Sequence, residues 1–138
     1  KNKAIVIGAD TVVDCEGEIL CKPADEADAF RMLSAIQGKW HFVTTGITLV
    51  KAHTMEAATV FETTRVKIRP LSNECISRYI ATGEPMDKAG SYAVQGIGSL
   101  LVERIEGCYF NVVGLPVGLL SKMLENLGLK LLSWYNKR

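Results

Sequence analysis

Ala4-Ile5-Val6-Ile7-Gly8-Ala9 is a short apolar run rich in β-branched residues, and it meets a carboxylate, Asp10, at once. That pattern predicts a strand over residues 4–9, buried on both faces as in the α/β class, with Asp10 just past its end. Thr11-Val12-Val13 continue in extended character, and Glu16-Gly17 predicts a turn into Ile19-Leu20. Pro23 keeps Lys22 extended, because proline disfavours helix in the residue before it.

Outward from this run, helical and extended segments alternate. Asp25 is a good N-cap, Glu26 and Asp28 suit the positive end of the helix dipole, and Ala29, Leu33 and Ile36 recur at helical spacing up to Gly38. Residues 40–51 and 58–69 read as two long strands with a polar joint around His53, and Pro70 stops the second. A second helix is predicted from Ser72 to Thr82, with Ile76, Tyr79 and Ile80 on one face and Gly83 after it. The glycine-rich stretch 83–98 reads as loop, residues 100–105 and 109–113 as strands, and Leu115–Leu127 as a last helix with Pro116 in its first turn. Met and aromatic positions read as core. The expectation is one α/β domain over residues 1–138, a mixed twisted sheet flanked by helices.

Composition narrows the function. The 138 residues are 48% hydrophobic and 22% charged, with 16 basic and 15 acidic side chains and a formal net charge of +1. A duplex-binding surface needs a clustered basic excess, so nucleic acid is not an expected partner. An anionic partner must then be small and held by a few placed cations. No stretch approaches the roughly 18 consecutive apolar residues of a membrane span, and no membrane partner is expected. Lys1-Asn2-Lys3 passes straight into the strand-like run, which predicts no leader. Cys15, Cys21, Cys75 and Cys108 form no CxxC pair and sit near no histidine, so they read as reduced thiols of a cytoplasmic protein.

Asp10 stands where α/β folds place ligands, at the carboxyl edge of the sheet. An ionised aspartate there can hold Mg²⁺ or take a proton from an attacking water; it can also merely cap the strand. Lys22, fixed by Pro23, is a point charge suited to phosphate, although most lysines are simply solvated. Glu84-Pro85-Met86-Asp87-Lys88-Ala89-Gly90 sets an acid and a base side by side before small residues that let backbone approach a ligand. Asp87 can hold a metal or a water and Lys88 a phosphate; the bland reading is a polar surface turn. The amide of Gln95 offers one donor and one acceptor, a match for the N3–H and adjacent carbonyl of uracil or thymine, though a surface glutamine is the commoner case. His41 and His53 have no Ser or Cys partner by local pattern, and neither a GxGxxG after a strand nor a Walker motif is present.

The order of these signals carries a family resemblance. Ile7-Gly8-Ala9-Asp10-Thr11-Val12-Val13, then Lys22-Pro23, Thr45-Gly46, Gly83-Glu84-Pro85-Met86-Asp87-Lys88-Ala89-Gly90, Tyr92-Ala93-Val94-Gln95-Gly96 and Asn111-Val112-Val113-Gly114-Leu115-Pro116 together resemble the Maf family. The match spans nearly the whole chain. The resemblance implies a cytoplasmic, often dimeric, divalent-cation-dependent (Mg²⁺ or Mn²⁺) enzyme that cuts nucleoside triphosphates into the monophosphate and pyrophosphate. Asp10 matches the family's proton acceptor, and Thr11 and Gln95 match positions tied to base specificity. Thr and Gln there mark the branch acting on dTTP and UTP, whereas a sister branch acting on 7-methyl-GTP carries other residues.

One departure stands out. The family opens with a strand and a Ser-x-Ser-Pro-Arg-Arg loop leading into a helix, and these 138 residues contain none of it. The expectation is a truncated family member with the strand-loop-helix missing. Lys22, Lys88 and a divalent ion on Asp10 are then expected to meet the charge of the triphosphate. The competing readings are a purine-directed enzyme of the inosine triphosphatase type and a non-catalytic module linked to septum formation.

Overall fold

The computed structural model describes residues 4–130 and 132; the two ends of the expected 1–138 domain lie outside that range. The first strand, β1 (Ile5–Cys15), turns tightly into β2 (Glu18–Leu20) and is followed by helix α1 (Glu26–Ile36). Two twelve-residue strands follow, β3 (Trp40–Lys51) and β4 (Ala57–Ile68). Helix α2 (Asn73–Ala81), a run of 3-10 turns over residues 84–101, β5 (Val102–Glu106) and helices α3 (Tyr109–Val113) and α4 (Val117–Asn126) complete the described chain.

The turn chemistry is as the sequence reads. Glu16 and Gly17 both take positive φ, 52° and 86°, the combination a two-residue hairpin needs to match strand twist. Asp25 caps α1 by accepting the Asp28 N–H at 2.8 Å, and Ser72 caps α2 by accepting the Cys75 N–H at 3.1 Å.

The strands form one sheet in the order β2-β1-β3-β4-β5. Here the expectation of a mixed sheet is corrected: every pairing among the described residues is antiparallel. Short hairpin links join β1 to β2 and β3 to β4, and antiparallel strands need no crossover helix.

Two further corrections concern particular segments. The first strand does not stop before Asp10 but runs through it to Cys15, pairing with β3 from Ile5 to Asp14. It is also not buried on both faces, since Val6 is 56% exposed. The reason is layer geometry. β3 alternates, with His41, Val43, Thr45, Ile47 and Leu49 buried on one face. All packed helices use that face, and Phe42 and Phe61 lie exposed at 45% and 69%. Several aromatic positions are therefore not core. Residues 109–113, expected as strand, form α3 instead. Its β-branched residues are overruled by tertiary bonds: Asn111 Nδ2 donates to the Val43 and Glu62 carbonyls at 2.9 and 3.1 Å. Gly114, at φ 136°, then ends the turn.

The core has two parts on that single face. Met32, Leu33 and Ile36 of α1 and Ile76 and Ile80 of α2 pack on Val13, Cys15, Val43, Val66 and Ile68. Leu120, Met123 and Leu124 of α4 pack on Ile47 and Leu49. Burial of each such side chain stabilises by about 1.5–3 kcal/mol. Thr45 lies between the two clusters along β3, and the candidate site opens beside it.

Candidate active site

A pocket of about 360 Å³ is walled by β1, the Lys22 segment, the turns between Asp87 and Gln95, and the end of α3. Asp10, Thr11, Lys22, Asp87, Lys88 and Gln95, the six residues singled out in the sequence, all line it. They come from three separate stretches of chain. Val13, Val43, Val94, Val112 and Val113 supply an apolar wall beside them.

Each polar residue is placed by a specific local device. Asp10 sits in mid-strand opposite Gly46 of β3, is exposed, and lines the pocket. Its place is thus a pocket wall in an antiparallel sheet and not, as expected, the carboxyl edge of a strand. Thr11, the next residue, faces inward and pairs with Thr45, with the two Oγ1 atoms 2.8 Å apart. Lys22 is exposed and Pro23 after it is buried, which anchors the segment. The Gly90 N–H donates to the Cys21 carbonyl at 3.2 Å and so ties the Lys22 segment to the Asp87–Lys88 turn. Only glycine serves there: φ is +75°, and a Cβ would meet Val13 Cγ1 at 3.0 Å.

Asp87 and Lys88 form an ion pair at 3.1 Å. The Lys88 ammonium, by hydrogen bond and by charge, holds the Asp87 carboxyl below its usual range, and Lys22 adds a smaller pull in the same direction. Two carboxylate residues, Asp10 and Asp87, and two lysines, Lys22 and Lys88, thus line one cavity.

Three residues without a role in the sequence reading prove structurally decisive. Glu84 accepts the Tyr79 hydroxyl at 2.5 Å and the N–H groups of Ile97 and Gly98 at 3.0 and 2.7 Å. Burial alone would raise its carboxyl, but these three donors with nearby Lys88 bring it below its ordinary value. Tyr92, on the pocket wall, is backed by His41, whose Nε2 lies 2.6 Å from the Tyr92 hydroxyl. Burial pushes His41 down to about 4, so the imidazole is neutral at physiological pH. Glu84 belongs to the Gly83–Gly90 motif, whose pattern gives no sign of the distant N–H groups it binds; His41 and Tyr92 are 51 residues apart and no local pattern joins them.

A family model described as Maf-like protein matches residues 1–127. The chain is 50% identical over 129 residues to a protein of Dictyoglomus turgidum named dTTP/UTP pyrophosphatase, covering 94% of this chain and 67% of that protein. It is 55% identical over 125 residues to a protein of the same name from Caldanaerobacter subterraneus, covering 91% and 60%. A third, from Acetivibrio thermocellus, is 50% identical over 132 residues, covering 96% and 66%. The chain thus spans about two thirds or less of the length of these relatives.

Proposed function

The chain belongs to the Maf family, and from that premise we propose that its pocket hydrolyses dTTP and UTP to the nucleoside monophosphate and pyrophosphate. One observation supports this above the others: the six residues of the motif order converge on a single pocket with an apolar wall beside them. A nucleotide needs both halves, cations for phosphates and an apolar slot for a base ring.

In this reading the valines take the pyrimidine ring, and Gln95 pairs with N3–H and the adjacent carbonyl. Lys22 and Lys88 hold phosphate oxygens, and Asp10 accepts the proton of the attacking water. Two ammonium groups do not balance a triphosphate, so a further cation belongs to the proposal. No group of three or more His, Cys, Asp or Glu among the described residues is arranged to hold a metal. Mg²⁺ and Mn²⁺ are commonly bound through one or two carboxylates plus substrate phosphates. Asp10 and Asp87, both on the pocket wall, would hold the ion. When bound, the ion neutralises charge on the phosphates. The reading also includes a cytoplasmic homodimer; the free state of all four cysteines suits a reducing compartment. No helix among the described residues is long and apolar enough to cross a membrane.

The test is a panel of purine and pyrimidine nucleoside triphosphates with Mg²⁺ or Mn²⁺, products separated by ion exchange. UMP and dTMP with pyrophosphate are expected. Preference for purine triphosphates, release of a diphosphate and orthophosphate, or binding without turnover would each refute the proposal.

A further inference from the structure

Thr45 lies in mid-β3, fully buried, opposite Thr11 in the β1–β3 register. Their hydroxyls are 2.8 Å apart, and this is the one side-chain hydrogen bond either makes among the described residues. The two differ in their surroundings: Thr11 is half-buried and lines the pocket, while Thr45 is sealed inside the sheet. One hydroxyl gives its proton to the other. If Thr11 donated, the Thr45 proton would be buried with no acceptor, and an unmet buried donor carries its full desolvation cost. If Thr45 donates, its proton is met by the Thr11 oxygen and the Thr11 proton is left for the pocket.

This polarity matters because Gln95 alone cannot choose between pyrimidines. A primary amide flips, presenting its donor and acceptor in either order. It can therefore satisfy the N3–H and carbonyl of uracil or, reversed, the N3 and amine of cytosine. A second contact of fixed polarity is required, and a lone hydroxyl rotor does not supply one.

Resting on the pyrimidine reading of the site, we infer that Thr45 is a specificity-determining positioning residue that holds Thr11 as a donor toward the ring carbonyl which cytosine replaces by an amine. Uracil and thymine meet that proton with an oxygen. Cytosine meets it with a donor, and two protons oppose each other.

The experiment compares kcat and KM for UTP and CTP in the full chain, in Thr45→Val and in Thr45→Ser. Valine keeps the shape and removes the donor, which frees the Thr11 rotor to accept as well as to donate. The UTP-to-CTP preference should fall about tenfold, the size of one neutral hydrogen bond, through KM with kcat nearly unchanged. Serine should restore it. A preference that survives in Thr45→Val, or one absent from the unaltered chain, overturns the inference. A nucleotide-free measurement separates this from failure of the pyrimidine reading itself. In NMR spectra the Thr45 hydroxyl proton should exchange slowly and vanish in Thr45→Val. A protected hydroxyl proton on Thr11, or none on Thr45, would overturn the assigned polarity whether or not UTP is turned over.

Discussion

Tyr79 gives its hydroxyl proton to Glu84 across 2.5 Å, and that bond joins the end of α2 to the turn that follows it. The Tyr79 oxygen also accepts the Ala93 N–H at 3.1 Å, while Glu84 accepts from Ile97 and Gly98. Residues on both sides of Gln95 are thus held by one carboxylate and one phenol. Burial first, then the bond to Glu84, raise the Tyr79 phenol above its ordinary range, so it stays a donor at any working pH.

Glu84→Gln is the direct probe of this stitch. The amide keeps one acceptor oxygen and turns an NH₂ toward a backbone N–H that needs an acceptor. Stability in urea should fall by about 1–3 kcal/mol, the cost of an unmet partner at a partly buried site. KM for UTP should rise several-fold, with kcat less affected, because Gln95 loses its frame. Unchanged unfolding and unchanged KM would show that the stitch holds nothing.

Gly98→Ala tests the same region from the backbone side. A Cβ at Gly98 would stand 1.9 Å from the Ala93 carbonyl oxygen and 2.7 Å from the Tyr79 hydroxyl. Neither can give way without breaking the bonds just described. Overpacking of this kind costs about 1–3 kcal/mol or more. Differential scanning calorimetry should show a clearly lower Tm; a variant as stable as the parent would contradict so close an approach of the two segments.

How much of this is visible in the residues alone depends on the range of the interaction. The β1–β2 turn, the Asp25 cap and the long strands on either side of His53 are local, and turn and cap chemistry announces them. The six pocket residues are legible because each carries its chemistry in its own side chain and motif order ties them together. The strand expected over residues 109–113 does not form because Asn111 is claimed by β3 and β4 carbonyls far away in sequence. Burial of both faces of β1 does not follow from its apolar run, which reports hydrophobicity and not which neighbours cover it. The Glu84 hub and the His41–Tyr92 pair are tertiary, and only the fold brings their members together.

His41 gives a pH signature. Its folded value near 4 lies below the ordinary 6.5 because burial disfavours the charged ring. Below pH 6.5 the unfolded chain takes up a proton that the folded chain refuses, so stability is complete above 6.5 and is lost as pH falls toward 4. The loss should be roughly 3 kcal/mol over that window. Glu84 acts lower down: its folded value is depressed, so its contribution is present above its ordinary 4.5 and is lost as pH falls further. In His41→Gln, whose amide can still hydrogen-bond the Tyr92 hydroxyl, urea midpoints between pH 6.5 and 4 should change less than in the parent. Parallel pH profiles would remove His41 from the acid-sensitive set.

The proposed hydrolysis assigns the proton transfer to Asp10, and the decisive measurement is pyrophosphate release from UTP by Asp10→Asn beside the unaltered chain, with Mg²⁺ and matched circular dichroism. The substitution keeps the size of the side chain and removes its ability to take a proton or hold a cation. The rate should be lower by about 10² or more with the fold intact. Turnover within a few-fold of the parent would contradict the role given to Asp10, because no other carboxylate on the pocket wall except Asp87, already paired with Lys88, stands ready to take it.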